Sequence, residues 1–202
     1  MALAARVYGW YLLRAVFLTA QLCVGVSAHA AQPLNTVAIH AEKQGSAVAI
    51  EARVALTAPL PLIWQTLTDY DRMSSYIPGM RVSRIVERRG PATIIKQQGE
   101  AGFLFFMQSV DVVVESLEKP PYVITVRVLS GNLKQLDGRY QIEPDSERPG
   151  QFVLHWFGLI EPETSLPPLI GVPILRSNIR DQFRGLVREI ERRTAENNKK
   201  IE

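Results

Sequence analysis

The chain has 202 residues, 47% of them apolar, with a formal net charge of +3, three histidines and a single cysteine. That length suits one domain with a sizeable core. The near-balanced charge gives no case for nucleic acid, and one thiol rules out a disulfide framework within the chain.

Residues 1–30 read as an address rather than as fold. Their only charges are Arg6 and Arg14, and an apolar stretch from Ala15 to Val26 follows, polar only at Thr19 and Gln21. Ala28-His29-Ala30 then supplies the small-x-small pattern read by signal peptidase. A spanning helix needs about 20 apolar residues, and this run is shorter. The expectation is an exported, periplasmic protein cleaved after Ala30 or Ala31. Removing residues 1–30 leaves 172 residues and lowers the net charge to +1, because two arginines leave with them; so does Cys23.

Residues 31–45 are polar and small-residue-rich and read as a tether or a frayed first strand. From Ala47 alternation is clear, with Val48, Ile50, Ala52, Val54 and Leu56 on one face. Pro59 and Pro61 open a short helix in which Ile63, Trp64, Leu67 and Tyr70 recur at helical spacing. A second short turn carries Met73, Tyr76 and Ile77 and ends at Pro78-Gly79. Strand-like runs follow over 80–87, 93–98, 103–117, 122–129, 133–143 and 151–160. Turn residues separate them, Gly99-Glu100-Ala101-Gly102 among them. The plan is about seven antiparallel strands. Leu175, Ile179, Phe183, Leu186 and Ile190 then form the apolar stripe of one long closing helix that takes Pro173 in its first turn and runs to about Glu196. The domain spans 46–197, with a short tail over 198–202.

The order strand, short helix, many strands, long helix predicts an α+β fold, a curved antiparallel sheet wrapped around the last helix. The chain resembles the START-like superfamily, also called helix-grip or SRPBCC, and within it the polyketide cyclase/dehydrase and coenzyme Q-binding-type domains. The residues that carry the resemblance are Ala58-Pro59, Trp64 with Leu67-Thr68-Asp69-Tyr70, Tyr76-Ile77-Pro78-Gly79-Met80 with Ser83, Leu136-Asp137-Gly138-Arg139-Tyr140, and Glu189-Ile190-Glu191-Arg192-Arg193. The resemblance covers essentially the whole chain after residue 30. It implies a hydrophobic cavity between sheet and helix, and it does not imply catalysis.

No thiol nucleophile after residue 30, G-x-S-x-G, H-E-x-x-H, Walker A loop or G-x-G-x-x-G is present. Two histidines, His40 and His155, follow residue 30, so neither a transition-metal site nor a cofactor is expected, and no catalytic residue is assigned. Asp137, Tyr140 and His155 are the groups to inspect for acid–base work. Alternation and helical spacing nominate Trp64, Phe106, Val112, Ile124, Val128, Leu136, Tyr140, Trp156, Leu175, Ile179 and Phe183 as cavity residues. The facing of the last strand stays open, because Phe152, Leu154 and Trp156 compete with Val153 and Phe157. Arg176, Arg180, Arg184 and Arg188 recur every four residues and form a candidate face for anionic membrane.

The leading functional expectation is a carrier for an apolar small molecule such as a lipid, quinone or isoprenoid. The alternatives are a cyclase acting on a polyketide-like substrate in the same cavity, and a protein- or membrane-interaction module with a packed interior.

Overall fold

The structure, a computed structural model, describes residues 36–103, 106–163 and 168–200. These fall within one compact unit, Ala31–Glu202; the expected signal segment lies outside the described residues.

Eight strands form one antiparallel sheet in the order β1-β2-β8-β7-β6-β5-β4-β3. They are β1 (Ala38–Gln44), β2 (Ala47–Leu56), β3 (Met80–Arg89), β4 (Ala92–Phe103), β5 (Phe106–Lys119), β6 (Val123–Gly131), β7 (Leu133–Pro144) and β8 (Phe152–Pro162). Helix α1 (Leu60–Leu67) and a 3₁₀ turn (Tyr70–Ser75) link β2 to β3, and α2 (Pro168–Lys199) closes the chain.

Two expectations need correction, and one open reading is decided. The segment read as a tether or a frayed first strand contains β1, an edge strand paired with β2 from Ala38↔Arg53 to Gln44↔Ala47. A half-exposed edge strand is polar enough to read as a loop. The expected turn at Gly99-Glu100-Ala101-Gly102 is the continuation of β4, which pairs with β5 as far as Phe103↔Phe106. Gly99 is there for clearance, since a Cβ on it would lie 2.4 Å from the Gly79 carbonyl oxygen. Helix α2 starts at Pro168, so Pro173 lies inside it rather than in its first turn.

The alternation in β2 does what its sequence says. Ala52, Val54 and Leu56 are buried in the main core, which Ile63, Leu154, Phe183, Leu186 and Ile190 complete. Each large apolar side chain enclosed there contributes ~1.5–3 kcal/mol relative to exposure. Leu154, Trp156 and Ile160 face this core, which settles the facing of β8; Phe157 points outward and is exposed. A smaller cluster of Tyr70, Ile95, Val112 and Val114 packs under the 3₁₀ turn.

The block Asp69-Tyr70-Asp71 fastens that turn to three different elements. The Asp69 carboxylate accepts from Arg193 Nη2 on α2 at 2.7 Å. The Tyr70 hydroxyl lies 2.7 Å from Ser116 Oγ on β5 and donates to Glu118 Oε1 at 3.1 Å. Asp71 Oδ1 accepts the Ile85 backbone N–H of β3 at 2.8 Å. Arg193 also donates to Glu189 at 2.7 Å and lies 5.7 Å from the centre of the Tyr76 ring. Side-chain exposures of 13%, 19% and 10% for Arg193, Asp69 and Glu189 make this a semi-buried network rather than a surface pair.

Candidate functional site

A cavity of about 210 Å³ lies between the inner face of the sheet and the first half of α2. Its floor comes from β5, β6, β7 and β8 through Val112, Ile124, Leu136 and Tyr140, with Trp156 beside them; Leu175, Ile179 and Gln182 of α2 form the roof. Exposed Pro78, Gly79 and Glu100 also line it and mark where it reaches solvent.

The strand pairing explains the floor. Tyr140 stands between Ile124 of β6 and Trp156 of β8. One step along, Gly138 faces Gly158. With no side chain at either position, the Trp156 ring lies flat over the sheet. A Cβ on Gly158 would come within 2.1 Å of that ring, and one on Gly138 within 3.1 Å of its Nε1. The Tyr140 ring is tilted against Trp156 at 6.2 Å and stacked on Phe183 at 6.3 Å.

Of the eleven residues nominated from sequence, Val112, Ile124, Leu136, Tyr140, Trp156, Leu175 and Ile179 meet on this wall. Three others sit elsewhere. Phe183 is buried in the main core beneath Tyr140. Trp64 packs against that core from α1. Val128 pairs with Val114 just past a register irregularity and packs against the Tyr70 cluster, off the cavity wall. The side chain of Phe106 lies outside the described set. Wall residues that sequence reading did not nominate include Tyr70, Met73, Gln97, Asn178 and Gln182. Asn178 and Gln182 are one helical turn apart and flank Ile179, so the helical stripe carried the signal for them.

The three acid–base candidates separate. Asp137 is exposed on the opposite face of the sheet and accepts from Gln135 Nε2 at 2.6 Å. His155 is on that face too, stacked on Phe157 at 6.0 Å and 3.6 Å from Glu143. Burial lowers its affinity for a proton, and Glu143 only partly offsets this. Tyr140 alone of the three reaches the cavity, where burial pushes its phenol up to about 12. The other titratable wall groups are engaged: Tyr70 with Ser116 and Glu118, and Glu100 with Arg81 at 2.7 Å. Among the described residues no cluster of histidine, cysteine and carboxylates with metal-holding geometry occurs.

A wider depression of about 830 Å³ lies on the outer face of the sheet. Its walls include the exposed Glu42, Glu51, Arg127, Asp137, Arg139 and Phe157, with Arg127 paired to Glu115 at 2.7 Å. It is a solvated surface, and the inner cavity is the better ligand site on physical grounds because its wall is apolar and sheltered.

On α2, Arg176, Arg184 and Arg188 are exposed and Arg180 is half-buried. Arg184 lies 3.5 Å from Asp181. No helix among the described residues is long and apolar enough to cross a membrane.

The sequence model of one protein family, described as polyketide cyclase / dehydrase and lipid transport, matches residues 56–184. A comparison with curated proteins finds no match. Solved structures show the same fold at low identity. A STAR-related lipid transfer protein from Xanthomonas axonopodis is 14% identical, with a TM-score of 0.63, covering 80% of this chain and 97% of its own. The Zhui aromatase/cyclase from Streptomyces sp. R1128 is 16% identical, with a TM-score of 0.61, covering 73% and 95%. A START superfamily protein from Mycobacterium smegmatis is 16% identical, with a TM-score of 0.56, covering 73% and 97%.

Proposed function

The chain belongs to the polyketide cyclase / dehydrase and lipid transport family, and from that premise we propose that it is an exported, periplasmic carrier of an apolar small molecule. The observation that carries this reading is the sheltered apolar cavity of about 210 Å³ between sheet and α2. The mechanism is reversible burial: ligand surface leaves water at ~25 cal/mol per Å², and no covalent step is needed. Export rests on the basic–apolar–small pattern of residues 1–30. Arg176 and Arg180, each adjacent in the chain to a cavity residue, Leu175 and Ile179, support loading at an anionic membrane.

A cyclase reading has one observation in its favour, the Tyr140 hydroxyl inside the cavity. With the other titratable wall groups engaged or exposed at the mouth, that enzyme would have to work through Tyr140. Binding needs no such group, and we favour it.

The test uses a fluorescent naphthyl ketone, 2-acetyl-6-(dimethylamino)naphthalene. The wild type binds it with a blue shift. Leu175→Trp, whose added ring enters the cavity, loses most of that binding while its unfolding midpoint holds. Absence of binding by the wild type, or undiminished binding by a folded Leu175→Trp variant, overturns the carrier reading.

A further inference from the structure

The carrier reading leaves the ligand's chemistry open, and the wall of the cavity narrows it in three ways. The first is size. An apolar cavity of ~150 Å³ accommodates a benzene ring, so one of about 210 Å³ suits one substituted ring or two fused rings. A diacyl lipid is far larger.

The second is charge. No lysine, arginine or histidine lies on the described wall. A carboxylate or phosphate carried inside would meet no counter-charge, and burying an unpaired ion is costly.

The third is polarity. Three wall groups have no hydrogen-bond partner among the described residues: the Tyr140 hydroxyl, the Trp156 indole N–H and the Gln182 carboxamide. The other wall amides are engaged. Asn178 exchanges hydrogen bonds with the Gly102 backbone and donates to the Ile174 carbonyl at 2.7 Å, and Gln98 donates to Asp111 at 2.7 Å. Gln97 makes longer contacts, to Ser83 at 3.5 Å and the Met73 sulfur at 3.8 Å. The indole can only donate. The Tyr140 phenol, like any phenol, is protonated at neutral pH, and burial only raises its pKa further, so it too can donate. Its ring is held between Trp156 and Phe183, which presets the position of the hydroxyl. None of the three is sealed away from solvent, so a ligand acceptor takes the place of water at these donors.

We propose that the cavity takes an uncharged one- or two-ring compound bearing a carbonyl oxygen, which accepts a hydrogen bond from Tyr140 with Gln182 and Trp156 as further donors. This deepens the carrier reading and rests on it.

The pair 1-tetralone and tetralin tests it, since the two share a shape and differ in one carbonyl oxygen; palmitate tests size and charge. Titration calorimetry with the full chain should show tetralone at least 10-fold tighter than tetralin and palmitate weaker than both. Tyr140→Phe should close most of the tetralone–tetralin gap and leave tetralin affinity unchanged, with an unaltered melting temperature as control. If Tyr140→Phe does not fold, Gln182→Met serves instead and narrows the gap several-fold. Equal affinity of tetralone and tetralin, a gap that survives both substitutions, or tighter binding of palmitate overturns the proposal while the carrier reading stands. No binding of any of these ligands or of the naphthyl ketone overturns both.

Discussion

Gly185 is where the packing of α2 is most exposed to a single methyl group. A Cβ at this position would lie 2.3 Å from the Tyr76 carbonyl oxygen and 2.5 Å from Pro78 Cδ. Ordinary contacts are ~3.5–4.0 Å, so the loop after the 3₁₀ turn must retreat by about 1 Å or the helix must shift. In an isolated helix, Gly→Ala gains ~1 kcal/mol. Here an overpacking cost of typically ~1–3 kcal/mol or more opposes that gain. The obstacle is backbone and a proline ring, neither of which can rotate away, so the upper part of that range applies and Gly185→Ala is expected to be net destabilising by about 1–2 kcal/mol. For a domain of this size that lowers the melting temperature by ~2–8 °C. Urea titration followed by circular dichroism reads it as a lower midpoint at unchanged slope. Because Pro78 and Gly79 also line the mouth of the cavity, ligand affinity should change in the same variant. A variant as stable as wild type, or more so, would refute the close approach of loop and helix.

Two further outcomes concern charge. Hydrogen bonds from Arg192, joined by Arg193, outweigh burial and hold the Glu189 carboxyl down at about 2. A group whose folded pKa is depressed supports stability above its unfolded value and loses that support as pH falls through the folded one. Stability should therefore fall between about pH 5 and pH 2, and Glu189→Gln should flatten the slope in that window, as read by denaturation midpoints at stepped pH. Asp69 adds to the same trend, since burial tends to raise its pKa but Arg72 and Arg193 bring it below the usual carboxylate range. Separately, changing the exposed Arg176, Arg184 and Arg188 together to Gln should leave unfolding nearly unchanged, because exposed charges contribute ~0–1 kcal/mol each. Flotation with anionic vesicles at low salt should drop; wild-type protein that ignores such vesicles would sink the membrane-loading idea.

How far the site could be read from the sequence depended on what kind of neighbour each residue has. Period-two alternation identified the inner face of β5 to β7, because those strands have one apolar and one wet side. The helical stripe likewise placed Leu175 and Ile179. Alternation says which face a residue is on and nothing about where on that face the packing stops. Val112 and Val128 look alike in the sequence and both meet the Tyr70 cluster, yet only the first borders the cavity. A register irregularity between Val113 and Val114 lies between the two positions, and no local pattern encodes it. Phe183 fails as a cavity residue for a related reason, since Tyr140 stands between it and the space it was expected to fill. Glycines misled in a consistent way. Gly99 read as a turn and serves as clearance for Gly79. Gly185 interrupts the apolar stripe of α2, and its close neighbour is the loop at Tyr76–Pro78. Gly138 and Gly158 belong to strands that pair only in the fold, and together they form the bed for Trp156. Gly99, Gly185 and Gly138 make room for partners distant in sequence, and Gly158 for the Trp156 ring on its own strand. The shape of the cavity follows from those absences. A sheet with side chains at Gly138 and Gly158 would force Trp156 upward into the space beneath α2. The two strand glycines are thus as much a part of the binding site as the residues that line it.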